Sequence, residues 1–133
     1  MILRLAALCE DARERPDGRL DLAGIFNELT APGFPAMQDR MTVVFIVEWS
    51  TGETGELPLR ADMVDETGRK LLTIQGHTHV DPRGTGRAPA QTRLIMPLEK
   101  VVFPRPGHYR FELLAGGDVA DACSLFVGEA TPS

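Results

Sequence analysis

The chain predicts an all-β fold, an antiparallel two-sheet sandwich of about eight strands, immunoglobulin-like or C2-like. Three observations predict it. Apolar runs recur roughly every dozen residues, each bounded by Gly, Pro, Asn or Asp turn signals. One run, residues 41–49, is apolar on both faces, as a central strand of a packed sheet must be. No window of useful length holds its apolar residues at a helical period.

Residues 2–9 form the first apolar run. The charged segment 10–19 (EDARERPDGR) ends in a Pro-Asp-Gly turn signal, and residues 10–15 are long enough for one helical turn and no more. A strand over 20–29 sets Leu20, Leu22, Gly24 and Phe26 on one face. Two prolines and a glycine in 31–37 (APGFPAM) make that stretch a crossing loop. The strand over 41–49 places Val43, Phe45, Val47 and Trp49 opposite Val44 and Ile46. After the loop 50–56, strands over 57–65 and 69–80 flank the hairpin signal Glu66-Thr67-Gly68.

Residues 83–90 read as an exposed loop. The strand over 91–102 carries Pro97, which cannot donate to a ladder on both sides and so belongs at an edge or a bend. Pro104-Arg105-Pro106-Gly107 turns the chain into a strand with Tyr109, Phe111 and Leu113 on one face. Gly116-Gly117 turns it again into 119–127.

A length of 133 residues suits one domain, with 128–133 as a frayed tail. Hydrophobic residues at 43% and charged ones at 25% place the chain among globular proteins. The net charge of -5 argues against duplex nucleic acid, whose phosphates call for a basic patch. No run reaches membrane-spanning length, and Arg4 with the early acidic residues argues against a signal segment, so the expected compartment is the cytoplasm. Cys9 and Cys123 are read as two buried free thiols, with a bridge between terminal strands as the alternative.

The stretch 76–84 (GHTHVDPRG) holds two of the three histidines. His77, His79 and Asp81 spell His-x-His-x-Asp, a spacing that places all three on one face of a strand. They are the candidate metal ligands. Thr73, Gln75, His77, His79 and Asp81 share the polar face, while Leu72, Ile74, Gly76, Thr78 and Val80 face the core. The plain alternative is a solvated strand end: Pro82 stands where a further histidine would follow in a zinc hydrolase, and His108 is the one histidine left.

Other chemistry is thinner. The acidic groups Glu10, Asp11, Glu14 and Asp17, and Asp62, Asp65 and Glu66, lack Asp-x-Asp spacing and are diluted by arginines, so calcium is not expected. Residues 83–87 (RGTGR) lack the Gly-Lys-Ser/Thr ending of a phosphate loop. No Gly-x-Ser-x-Gly elbow is present, and Ser50, Ser124 and Ser133 have no local activating partner. Cys9 would need a base beside it to act as a nucleophile. Trp49 and Tyr109 fit core-facing patterns.

Residues 7–36 and 103–127, with 65–69 (DETGR) between them, resemble a family of small bacterial proteins classed as a domain of unknown function. The resemblance rests on a leading strand ending in Cys9 and an acidic residue, on Gly24-Ile25-Phe26, and on Pro106, Gly107, Tyr109 and Phe111. It implies a compact β-sandwich with no assigned activity, and the histidine pair is not part of its pattern. The expected function is therefore a non-enzymatic β-sandwich that binds a protein partner or associates with itself, with no cofactor, no nucleic acid and no membrane. The alternatives are a metal-binding protein or metal-dependent hydrolase built on His77, His79 and Asp81, and a carbohydrate or small-ligand module, against which the scarcity of exposed aromatics argues.

Overall fold

The computed structural model describes residues 1–130. Among them the chain forms nine strands: β1 (Ile2–Glu14), β2 (Leu20–Phe26), β3 (Glu28–Ala31), β4 (Ala36–Glu48), β5 (Gly55–Val64), β6 (Lys70–Val80), β7 (Gln91–Phe103), β8 (Gly107–Ala115) and β9 (Asp118–Glu129). They build a four-stranded sheet in the order β2-β1-β4-β7 and a five-stranded sheet in the order β3-β9-β8-β5-β6. The two sheets pack as a sandwich around Phe45, Met63, Phe103, Tyr109, Phe111 and Leu125, all buried.

The alternation read from the sequence places the core. Val43, Phe45 and Val47 on β4, with Trp49 just after it, face Tyr109, Phe111 and Leu113 on β8 across the sandwich. The outer side of β4 is buried for a second reason. Arg93 on β7, whose register partner is Ile46, reaches Glu14 Oε1 at 3.2 Å and the carbonyl of Gly18. Those groups belong to the far end of the β1–β2 hairpin, so the hairpin tip lies over the outside of β4. Cys9, Thr42 and Val44 point away from the core and are nonetheless buried.

The expected sandwich of about eight strands is present; two details refine it, and two local expectations need correction. The number of strands is nine because the segment expected as one strand over 20–29 divides at Asn27. Phe26 ends β2 against the core, the Asn27 carbonyl accepts the Phe126 amide at 2.8 Å, and β3 then joins the other sheet. The sandwich is antiparallel as expected except at one pair: β3 runs parallel to β9, because the chain crosses sheets without reversing direction. Residues 10–14 form no helical turn; they extend β1 in a ladder with β2 from Asp11↔Ala23 to Glu14↔Leu20, which satisfies their backbone groups better than one isolated turn would. The first residues of the expected tail 128–133 are paired. Gly128 and Glu129 pair with Thr30 and Ala31, and the Ala130 amide donates to the Ala31 carbonyl at 2.8 Å; residues 131–133 lie outside the described residues.

Pro97 sits on an edge strand, as expected, since β7 closes the four-stranded sheet. The turn joining β5 and β6 is held by Asp65. Its Oδ1 accepts the Thr67 hydroxyl at 2.6 Å, the Thr67 amide at 2.9 Å and the Arg69 amide at 3.0 Å, and Gly68 supplies the positive φ of 85° that the turn needs.

Candidate functional site

Strand β6 carries the residues that the sequence singled out, and its phasing is as read. Register partners Glu56↔His79, Pro58↔His77, Arg60↔Gln75 and Asp62↔Thr73 share the outer face of the five-stranded sheet. Ile74 and Leu72 pack against the core from the other face, and Val80 is buried.

His79 is flanked by two carboxylates. Its Nδ1 lies 3.2 Å from Glu56 Oε1 and its Nε2 lies 3.0 Å from Asp81 Oδ1, all on exposed side chains. The structure therefore brings Asp81 and Glu56 to His79, each on a different ring nitrogen. His77 stands over Pro58 and lines an open hollow of about 430 Å³ with Arg60, Gln75 and Leu114. His108 is elsewhere. It starts β8, two strands across the sheet from β6, at the end where the β5–β6 turn lies, and its amide donates to Glu66 Oε1 at 2.7 Å. Its ring stacks on Phe126 with centroids 4.6 Å apart. Among the described residues, no three His, Cys, Asp or Glu side chains converge as a metal's ligands would.

The remaining carboxylates of interest are engaged locally. Asp62 is fully buried between Arg60 Nε at 3.1 Å, Lys70 Nζ at 3.6 Å and the Thr73 hydroxyl at 2.8 Å. In the first acidic cluster Asp11 meets Arg40, Glu14 meets Arg93, and Asp17 meets Arg15. Asp65 holds the turn already described, and the Thr67 hydroxyl is the main cause that keeps its carboxyl below the usual range, with the backbone amides of Arg69 and Thr67 adding to it. The thiols are deactivated. Burial pushes Cys123 up to about 12. Burial first, and the nearby Asp11 charge second, also raise Cys9, whose Sγ donates to the Thr42 carbonyl at 3.7 Å. Both are free cysteines on different sheets. Residues 83–87 line a hollow of about 520 Å³ together with the 50–54 loop.

The sequence did not reveal the crevice beneath β6. Gly76 faces inward, has no positive φ, and a Cβ built there would have nothing within 4 Å. The missing side chain opens a hollow of about 190 Å³ toward Leu59, Ala61, Leu113 and, from the opposite sheet, Leu94 and Met96. Gly76 was visible in the core-facing set, but that its neighbours leave the space unfilled depends on how β6 and β7 sit side by side.

Edge protection sharpens the picture. Among the described residues four strands lie at sheet edges: β2, β7, β3 and β6. Strand β3 has 4 residues, β2 has 7 and is kinked by Gly24 at φ 67°. Strand β7 carries Pro97 and a positive-φ Lys100, devices that discourage pairing. Strand β6 has 11 residues, no proline, no positive-φ residue, one Lys or Arg at its first position, and a bulge at Leu71, beyond which Leu72–Val80 is regular.

No helix of the described residues is long and apolar enough to cross a membrane. No curated protein matches the chain. A family model does match residues 4–128, and the chain belongs to that family, a family of unknown function (DUF6941).

Proposed function

We propose that this protein is a non-enzymatic β-sandwich that binds or assembles with protein by accepting an extended strand along the free edge of β6. The observation that carries the reading is the contrast between the edges: past a bulge at Leu71, β6 runs unbroken from Leu72 to Val80, while the others are short, kinked or interrupted by proline and a positive-φ residue. An unpaired edge offers a row of backbone donors and acceptors, which supply affinity whatever the side chains are. The crevice at Gly76 adds selectivity, because it takes an apolar side chain from alternate positions of the added strand. The raised thiols and the locally paired carboxylates support a binding role over a catalytic one.

The test is a selection of random linear peptides on the folded protein, followed by amide chemical-shift mapping. The reading expects shifts concentrated over residues 71–78 and binding weakened at least about tenfold by Gly76→Lys. That variant sets a charge pointing into the crevice of an edge strand, at a position with room for a side chain. Peptides that bind Gly76→Lys as well as the unaltered protein, or that map to other surfaces, would overturn it.

A further inference from the structure

We infer that the strand accepted by β6 is an extended, basic segment of a protein partner, with an apolar side chain opposite Gly76 and a lysine or arginine opposite His79; this rests on the edge reading above. The phase of the ladder tells which backbone groups of β6 are free. The Pro58 carbonyl accepts the Gly116 amide at 3.1 Å, so Pro58 points toward β8. Backbone groups alternate sides along an antiparallel strand, so Leu59 points the other way, to its register partner Gly76 on β6. In the regular stretch Leu72–Val80, Thr73, Gln75, His77 and His79 therefore turn their amides and carbonyls to the open edge. An antiparallel segment bonded to them sets one residue opposite Gly76 in a non-hydrogen-bonded pair, where side chains approach most closely. That residue faces inward, toward the crevice walled by Leu94 and Met96, and is apolar for that reason.

Charge on the outer face supplies the second requirement. At one end of the stretch Arg60 and Lys70 are held by the buried Asp62, at 3.1 Å and 3.6 Å. At the other end Glu56 and Asp81 have only His79 between them, and both are well exposed. A protonated His79 cancels one of the two carboxylates, so the cluster keeps a net negative charge in either state of the ring. Arg83, past Pro82, makes no ion pair with either carboxylate. A residue of the added strand opposite His79 shares this outer face, and Asp81 is its diagonal neighbour, within reach of a long side chain. Lysine or arginine there meets the free charge, and glutamate meets repulsion. Gly76 and His79 are three positions apart, so the two requirements fall on opposite faces of one short segment.

The experiment is fluorescence anisotropy with labelled nine-residue peptides laid antiparallel against Leu72–Val80. Each carries isoleucine at position five, opposite Gly76, and lysine, glutamine or glutamate at position two, opposite His79. The lysine peptide should bind about threefold tighter than the glutamine one and about tenfold tighter than the glutamate one at low salt. Those differences should shrink in about 1 M salt, whereas aspartate at position five should weaken binding at least about tenfold at any salt concentration. Glu56→Gln combined with Asp81→Asn should erase the preference for lysine and leave the glutamine peptide unaffected, a pattern that a change in folding would not produce. Equal binding of the lysine and glutamate peptides, or a preference that the double variant keeps, would overturn the inference. Selected peptides that map to β6 without an excess of lysine or arginine opposite His79 would also overturn it, and would leave the edge reading standing. Peptides that map elsewhere would sink both.

Discussion

The indole nitrogen of Trp49 donates to the Thr92 hydroxyl at 2.8 Å, and that hydroxyl lies 3.2 Å from the hydroxyl of Thr78. Trp49 and Thr92 belong to the side of the four-stranded sheet, and Thr78 to β6 in the five-stranded one. This relay ties the edge strand β6 to the opposite sheet.

Thr92→Val should therefore cost about 1–3 kcal/mol, because it strands a buried indole donor. Thr78→Val should cost less, about 1 kcal/mol, since Thr92 still serves the tryptophan. Urea unfolding followed by the fluorescence of Trp49 measures both. Equal losses for the two variants would show that the indole bond is not the main term.

Asp65 links acid stability to the β5–β6 turn. The Thr67 hydroxyl and two backbone amides hold its folded value below the ordinary one of about 3.9. A depressed value stabilises the fold above the unfolded value, and that contribution disappears as pH falls through the folded one. Asp65→Asn should lower the melting temperature at neutral pH and flatten the acid limb of the stability curve. Parallel acid limbs for the two proteins would show that the turn is not linked to protonation.

Neither cysteine should behave as a reactive thiol. With both values raised and Cys9 fully buried, labelling by a disulfide reagent at pH 7 should be slow in the folded protein and take up two equivalents in denaturant. Rapid native labelling of either would contradict the burial described here. Recovery of fewer than two equivalents after denaturation without reductant would point to a bridge.

Zinc offers a direct check on His77, His79 and Asp81. The ring nitrogens of His79 face separate carboxylates and His77 faces Pro58, so equimolar zinc should leave the melting temperature unchanged. A clear rise that His77→Ala abolishes would establish a metal site.

Much of the sandwich was legible because alternation is a local property. Tyr109, Phe111 and Leu113, and Val43, Phe45 and Val47, show their inward face by spacing alone, and the outward placement of His77 and His79 follows from the same rule. Pro97 marked an edge because a missing amide proton has one consequence in any sheet. The split at Asn27 and the parallel β3 were not legible, since a sheet crossing leaves no periodic trace. Glu56, too, went unnoticed as the neighbour of His79: the two are 23 residues apart and meet through register.

The sequence by itself determined which residues face inward, where the chain turns, and that the two histidines stand on a polar face, because these depend on backbone period and turn chemistry within a few residues. Only the tertiary structure decided that β6 lies at an edge, that Gly76 opens a crevice onto Leu94 and Met96, and that the two adjoin. Those properties are relations between strands distant in the chain, set by how two sheets pack, and no local pattern encodes a space that neighbours fail to fill.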